Sequence, residues 1–201
     1  CSMRKPLMTL LFFCFAIITV VAQQPATVKE YMQSFPTYSF SDPNPMPLLS
    51  PVYPYFRFDG FTDKAEQKQW KIVELENDYI KVLITPEIGG KIWAAIEKKS
   101  GKSFIYYNHT VKFRDIAMRG PWTSGGLEPN YGIIGHTPSN ATPVDYITRT
   151  NDDGSVSCII GVLDLLTRSD WRIEINLPKD KAYFTTQSFW YNSTPVEQPY
   201  Y

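Results

Sequence analysis

Apolar and polar side chains alternate along most of the chain, with the period of two that is typical of β-strands. Ile80, Val82 and Ile84 fall on one face of a strand, and the alternation from Trp171 to Leu177 predicts the clearest half-buried strand. Further strands are predicted over residues 70–76, 91–98, 103–113, 143–150, 155–164 and 182–192. Because turn-forming clusters separate these short strands, the pattern predicts an all-β fold, an antiparallel β-sandwich.

Two segments before residue 70 depart from this alternation. Residues 65–69 have weak helical character. Residues 36–60 are rich in proline and aromatic residues, and proline with its effect on the preceding residue excludes a helix there. Linkers tend to be polar, whereas side chains such as Phe56 favour burial. We therefore expect residues 23–65 to form an extended arm packed along a main domain that begins at residue 66. A free linker is the alternative.

The start of the chain has the pattern of a secretory signal peptide over residues 1–22. Arg4 and Lys5 precede an apolar run over residues 7–21, and the small Ala22 precedes two glutamines. A membrane anchor is the alternative, although the run is short for a span of about 20 residues. The sequence therefore predicts an exported protein with no stable membrane span after cleavage.

Composition narrows the class of protein further. Twenty basic residues balance twenty acidic ones, so charge gives no case for binding nucleic acid. Of three cysteines, Cys1 and Cys14 would be lost with the signal peptide, which leaves Cys158 and no internal disulfide. An exported protein with one thiol is typical of a bacterial periplasm. Two histidines without close ligand spacing make a zinc site improbable, and we expect no metal and no cofactor.

The segment from residue 118 to 138 is the candidate for chemistry, because it is a long loop without a regular period. Aromatic rings such as Trp122 and Tyr131 can stack on sugar rings, and polar side chains can contact the hydroxyl groups around them. The candidate substrate-binding residues are Arg119, Trp122, Asn130 and Tyr131, together with His109 from a predicted strand. The candidate catalytic residues are His136 and Glu128. The alternative is a structural loop in which Trp122 fills the core.

Several motifs resemble those of the DUF5107 family, a group of exported proteins found largely in Bacteroidetes and often followed by tetratricopeptide repeats. The motifs are YPYFRFDG at 53–60, LENDYIKV at 75–82, PEIGGKIW at 86–93, RGPWTSGGLE at 119–128 and GHTP at 135–138. The resemblance implies a fold similar to galactose mutarotase, a β-supersandwich whose concave face binds sugars. Residues 66–201 would then form the N-terminal part of that domain. The implied location is the periplasm or cell surface of a Gram-negative bacterium.

The resemblance also implies roles for particular residues. Gly125-Gly126-Leu127-Glu128 followed by His136 looks like the glycine-rich loop that leads to the first active-site histidine of the mutarotase superfamily. Lys91 stands where mutarotases have an arginine. The second histidine and the catalytic carboxylate of mutarotases come from later strands.

Together these observations predict a protein that recognises a mono- or oligosaccharide and performs epimerase-like or glycoside-cleaving chemistry. His136 would donate a proton to a ring or leaving oxygen, and Glu128 would act as acid or base. The alternatives are a non-catalytic carbohydrate-binding module and a structural platform for a downstream repeat domain.

Overall fold

The computed structural model describes residues 24–39, 62–116, 120–130, 136–137, 139–165 and 167–198. Within these ranges the chain forms eleven β-strands and no helix, so none of the described segments has the character of a helical membrane span. The strands are β1 (Thr27–Tyr38), β2 (Glu66–Glu76), β3 (Ile80–Thr85), β4 (Lys91–Glu97), β5 (Lys102–Ser103), β6 (Val111–Ile116), β7 (Gly120–Thr123), β8 (Asp145–Thr150), β9 (Val156–Asp164), β10 (Ser169–Leu177) and β11 (Thr185–Asn192).

The strands form two sheets. The first has seven strands in the order β5-β4-β3-β2-β1-β6-β7, and the second has four in the order β11-β10-β9-β8. All pairs are antiparallel except β1 with β6, where Thr37 lies beside Val111 in a parallel register. The predicted β-sandwich is therefore confirmed, and its first sheet is mixed rather than purely antiparallel.

The middle of the first sheet, formed by the second half of β2 with β3 and β4, is buried on both faces, which explains its many apolar residues. Val73 faces the second sheet and packs in a cluster with Ile160 and Trp171. The neighbouring Ile72 points the other way, into a second cluster that contains Trp93. Trp171 is 2% exposed, and the other four side chains are fully buried. Burial of one such side chain contributes about 1.5–3 kcal/mol, so the two clusters hold the layers together.

The prediction of helical structure at residues 65–69 is wrong. Residues 66–69 belong to β2 and pair with the C-terminal half of β1, where Glu66 lies opposite Thr37 and Gln69 opposite Ser34. Cross-strand pairing overrides the helical preference of this polar stretch. The pairing also places residues 27–38 of the predicted arm in a sheet. Residues 40–61 of the arm and the predicted signal peptide, residues 1–22, lie outside the described residues.

The prediction of a single strand over residues 103–113 is also wrong. It is divided into β5 and β6, and residues 104–110 form a loop between them. Asn108 stabilises this loop, because its Oδ1 accepts a hydrogen bond from the backbone N–H of Thr110 at 3.1 Å. Conversely, β7 lies within the segment that was predicted to be a loop.

A charge cluster lies at one end of the first sheet, around Glu76. Lys98 Nζ lies 2.7 Å from Glu76 Oε1, and Lys29 Nζ and Lys81 Nζ lie 3.2 and 3.6 Å from Oε2. Burial by itself would raise the pKa of Glu76, but the hydrogen bonds from Lys98 and Lys29 and the charge of Lys81 lower it to about 2. The carboxylate is therefore held in its ionised form.

Candidate functional site

The segment that carries Glu128 is fixed to the start of β4 by a short backbone bridge. The N–H of Ile92 donates to the carbonyl of Leu127 at 3.1 Å, and the N–H of Leu127 donates to the carbonyl of Ile92 at 2.9 Å. Gly126 permits this approach. Its φ is +64°, and a Cβ at this position would lie 2.1 Å from the Ile92 carbonyl oxygen. A side chain therefore cannot replace Gly126 without moving one of the two segments.

Asn108 supports the same segment from the β5–β6 loop. Its Nδ2 donates to the carbonyl and the Oγ of Ser124 at 3.2 and 3.1 Å. The backbone carbonyl of Asn108 accepts a hydrogen bond from Trp93 Nε1 at 3.0 Å. Because Trp93 is fully buried in the core, this chain of contacts connects the loop to a rigid part of the sheet.

Glu128 and His136 form the central pair of the site. His136 Nδ1 lies 2.9 Å from Glu128 Oε2 and 3.2 Å from Oε1, and the backbone N–H of Thr137 donates to Oε1 at 3.0 Å. The side chain of Glu128 is 13% exposed, whereas that of His136 is 42% exposed. A bond to the carboxylate requires the hydrogen on Nδ1, so the neutral ring has its lone pair on Nε2. Nε2 has no hydrogen-bond partner in the part of the chain that the structure describes, and it is the nitrogen available to a ligand.

Lys91 lies beneath this pair as a buried cation. It is 2% exposed, its Nζ donates to the carbonyl of Thr123, and Nζ lies 5.3 Å from the centre of the Trp122 ring. Burial lowers the pKa of Lys91 to about 8, and the negative charge of Glu128 opposes that shift. Lys91 therefore places a positive charge, a cation–π contact and a hydrogen bond below the loop that carries Glu128.

The comparison with protein families identifies the chain. A family model described as a domain of unknown function, DUF5107, matches residues 47–201. The chain belongs to the DUF5107 family. The family predicted from the motifs is thereby confirmed.

The fold is shared with a solved structure. The DUF5107 chain is similar to a TPR-domain containing protein from Parabacteroides distasonis ATCC 8503, with a TM-score of 0.76 and 25% sequence identity. The similarity covers 86% of the DUF5107 chain and 30% of the other chain. The DUF5107 chain therefore corresponds to less than a third of that protein's length.

The structure brings some of the predicted site residues together. Glu128 and His136 are in contact, and Trp122 lies beside Lys91, whose pKa is affected by Glu128. His109 is exposed, and its ring centre lies 4.3 Å from that of Tyr107. In the described ranges no contact connects His109 with the Glu128–His136 pair. Arg119 and Tyr131 lie outside the described residues.

Asn130 is exposed and faces β10 and β11 rather than the Glu128–His136 pair. It lines a pocket of about 210 Å³ together with Trp171, Ile173, Ser188 and Trp190, and with Arg172 and Phe189. Among the described residues, no group of three or more His, Cys, Asp or Glu side chains could hold a metal ion. The described site contains an imidazole, a carboxylate, an ammonium group and an indole.

Lys91 is a residue of the site that was not predicted from the sequence. A signal was present, because Lys91 is a charged residue within the otherwise uncharged segment of residues 88–95, all of which are buried. A lysine is rarely buried unless it has a partner, so its place in such a run indicates a structural or functional role.

Proposed function

We propose that this protein binds carbohydrate and that His136 transfers a proton to or from a sugar oxygen. One observation carries this proposal: the carboxylate of Glu128 is hydrogen-bonded to Nδ1 of a half-exposed His136. A carboxylate that orients an imidazole is a common arrangement for general acid–base catalysis, and proton transfer by such a group contributes about 10²–10⁴-fold to a rate.

The two residues have different roles in this proposal. Both oxygens of Glu128 accept hydrogen bonds from His136, and Oε1 also accepts the N–H of Thr137. Glu128 is therefore the positioning residue that holds the ring. His136 is the acid or base, because its Nε2 can reach a ring or leaving oxygen. The indole of Trp122, which contacts the buried Lys91, supplies an apolar surface.

This arrangement favours epimerase-like proton transfer over glycoside cleavage. Most glycosidases place two carboxyl groups on opposite sides of the bond that they cleave. Within the described part of the site Glu128 supplies one carboxylate, and that carboxylate is occupied by His136. We also propose export to the periplasm or cell surface, because the first 22 residues have the pattern of a signal peptide.

The test compares His136→Gln with His109→Gln, since His109 is an exposed histidine that does not contact the Glu128–His136 pair. Polarimetry follows the interconversion of α- and β-anomers of glucose, galactose and mannose by the intact protein, and release of 4-nitrophenol from nitrophenyl glycosides measures cleavage. We expect His136→Gln to lose at least about 100-fold in turnover, and His109→Gln to keep it. Equal activity of the two variants would contradict the role of His136. Binding of a sugar without any turnover would indicate a carbohydrate-binding module instead.

A second candidate function is a structural platform for a repeat domain. It is favoured by the name of the similar protein, which contains a TPR domain, and by the outer face of the second sheet. This face, opposite the core, forms a groove of about 790 Å³. Its exposed apolar side chains include Ile147 at 62%, Leu163 at 49% and Tyr191 at 66%.

The platform is tested with the double variant Ile147→Asp, Leu163→Asp in the intact protein. If a helical repeat domain packs on the outer face, two charges should detach it and increase the radius of gyration measured by small-angle X-ray scattering. Phe104→Asp is the control, because Phe104 is 53% exposed and lies away from this face. An unchanged radius in the double variant would argue against the platform.

A further inference from the structure

The outer face of the second sheet has a polar pocket at one end. Ile175 and Leu177 of β10 lie in the core, so the residues that alternate with them point outwards. The pocket has a volume of about 310 Å³, which is within the range of small-molecule sites. Every residue that lines it is polar: Arg149, Asn151, Asp153, Ser155, Glu174, Asn176, Thr185 and Gln187. None of them belongs to the segment of the Glu128–His136 pair.

Two asparagines and two serines form a closed hydrogen-bond network at the base of the polar pocket. Asn151 Nδ2 donates to the Oγ atoms of Ser155 and Ser157 at 2.9 and 3.0 Å. Asn176 Nδ2 donates to the same two oxygens at 3.1 and 3.0 Å. Each hydroxyl therefore accepts two hydrogen bonds, and each amide nitrogen uses both of its hydrogens.

The two serine hydroxyls donate to carboxylates, and this completes the network. Ser155 Oγ donates to Asp153 Oδ1 at 2.7 Å, and Ser157 Oγ donates to Glu174 Oε1 at 2.6 Å. Arg149 Nη2 also donates to Glu174 Oε1, at 2.9 Å. Ser157 is fully buried and Ser155 is 3% exposed, so water does not compete for these bonds.

The completed network leaves acceptors at the base of the pocket for a ligand. In the part of the chain that the structure describes, no hydrogen bond reaches Asn151 Oδ1, Asn176 Oδ1 or Glu174 Oε2. Donors lie at the sides, because Arg149 has further N–H groups and Gln187, opposite Glu174 on β11, has a side-chain amide. A ligand with several hydroxyl groups can bond to both sets, since a hydroxyl donates and accepts.

Charge favours a neutral ligand in the polar pocket. Asp153 and Glu174 are its acidic lining residues, and Arg149 is its basic one. The hydrogen bond from Ser155 Oγ lowers the pKa of Asp153, and the charge of the nearby Lys179 contributes to this shift. Two cations therefore balance the two carboxylates. An anion would meet free carboxylate and amide oxygens, and a cation would meet Arg149 and Lys179.

An aromatic ring lies beside the polar pocket on the same face. Phe189 is two residues beyond Gln187 on β11, so the two side chains point the same way at a spacing of about 7 Å. Phe189 is 47% exposed. It lines the groove of about 790 Å³, which shares Arg149 and Glu174 with the polar pocket. The apolar face of a second sugar ring can stack on this phenyl ring.

We infer that the polar pocket binds a neutral sugar and is a second, non-catalytic carbohydrate site on the outer face of the protein. The pocket holds the hydroxyl groups of one ring, and Phe189 stacks on the neighbouring ring of a glycan. This inference goes beyond the proposed function, because it uses no residue of the Glu128–His136 pair. A repeat domain packed over this end of the face would exclude the glycan.

Glu174→Gln tests the acceptor oxygens directly. Ser157 and Arg149 both donate to Glu174 Oε1, so they should hold the glutamine oxygen in that place and leave its NH₂ group at the position of Oε2. One acceptor then becomes a donor while the shape of the side chain is kept. We expect the variant to lose about tenfold of glycan affinity, since a hydrogen bond to a charged group corresponds to at least that factor.

Calorimetry of the intact protein measures binding of cellobiose, β-1,4-galactobiose and β-1,4-mannobiose, with glucuronate as the anionic comparison. We expect at least one disaccharide to bind more tightly than glucuronate, and Phe189→Ala to weaken its binding severalfold. Gln187→Ala is a further variant at an exposed position, and the unfolding midpoint of each variant shows whether a loss comes from misfolding. Thr186→Ala is the matched control. Thr186 is exposed on the same strand but lies opposite the core residue Ile175, so it points to the inner side.

Failure of this inference and failure of the proposed function give different results. If Glu174→Gln and Phe189→Ala weaken glycan binding and keep the wild-type rate of anomer interconversion, the second site stands beside catalysis at His136. If they weaken binding and no form of the protein shows turnover, the second site stands and the proposed function is wrong. The second site is overturned if no disaccharide binds, if glucuronate binds more tightly than every disaccharide, or if Thr186→Ala has the same effect as the outer-face variants. Unchanged affinity in Glu174→Gln, Phe189→Ala and Gln187→Ala would also overturn it.

Discussion

Replacing Gly126 with alanine should separate the Glu128 segment from β4. The φ of Gly126 is +64°, and the added Cβ would lie 2.1 Å from the carbonyl oxygen of Ile92. The same oxygen accepts the hydrogen bond from the N–H of Leu127 at 2.9 Å. The overlap therefore falls on the bridge that fixes Glu128, and either the bridge or the left-handed conformation has to be given up.

The size of the effect follows from two contributions. An alanine in the left-handed region costs about 1–2 kcal/mol. Relief of an overlap in a packed region costs a further ~1–3 kcal/mol, so Gly126→Ala should lower the free energy of unfolding by about 2–5 kcal/mol. Gly101 is the matched control, because its φ is +69° and nothing lies within 4 Å of its added Cβ. Gly101→Ala should cost the first contribution alone, about 1–2 kcal/mol.

Urea denaturation followed by tryptophan fluorescence measures both variants of the intact protein, and calorimetry measures their affinity for sugar. Gly126→Ala should be less stable than Gly101→Ala and should lose binding at the His136 site, because Glu128 no longer holds the imidazole. Equal destabilisation of the two variants would refute the role of the close contact. Unchanged sugar affinity in Gly126→Ala would refute the role of the bridge in positioning Glu128.

Three further predictions concern titrating groups. Burial lowers the pKa of Lys91 to about 8, so between pH 8 and 10.5 the unfolded chain binds more protons than the folded one. The free energy of unfolding should rise with pH in this range relative to Lys91→Met, and parallel denaturation curves would contradict this. The pKa of Glu76 is about 2, compared with 4.5 in the unfolded chain, so its stabilisation is present above about pH 4.5 and lost as the pH falls towards 2. Glu76→Gln should remove that loss in acid denaturation monitored by circular dichroism. Burial, with a contribution from Glu30, raises the pKa of the Cys158 thiol to about 12, so iodoacetamide should modify it only at the rate of unfolding. Rapid labelling of the Cys158 peptide in native buffer, seen by mass spectrometry, would show the thiol to be accessible.

The strands that could be predicted from sequence are those in which burial follows a simple alternation. In β10, Trp171, Ile173 and Ile175 are buried while Arg172 is exposed, so the sequence pattern and the structure agree. β1 was not predicted as a strand, because its pattern is weak: Phe35 and Thr37 are its buried residues, and its remaining side chains are at least partly exposed. Its place in the sheet comes from pairing with β2, which no local pattern encodes.

The site could be predicted in part for a similar reason. Glu128 and His136 lie in one irregular segment, so their residue types and their closeness in sequence were enough to suggest a pair. Lys91 comes from a different strand, and its contact with Thr123 depends on how β4 and β7 are arranged in space. The polar pocket likewise combines residues of β8, β10 and β11 with those of the β8–β9 turn. Neither could be derived before the topology was known.

The parallel pairing of β1 with β6 has a consequence for biosynthesis. Thr37 and Val111 are neighbours in the sheet although they are far apart in the chain. Ribosomes add about 5–20 residues per second, so β1 leaves the ribosome several seconds before β6, which pairs with its last two residues, Thr37 and Tyr38. Non-local pairing of this kind slows folding, and an open strand edge invites contact with other chains. Lys29 and Glu30 on β1 carry charges that discourage such contacts. The end of β1 at Thr37 and Tyr38 therefore lacks its β6 neighbour during that interval, in which holdase chaperones should bind the newborn chain.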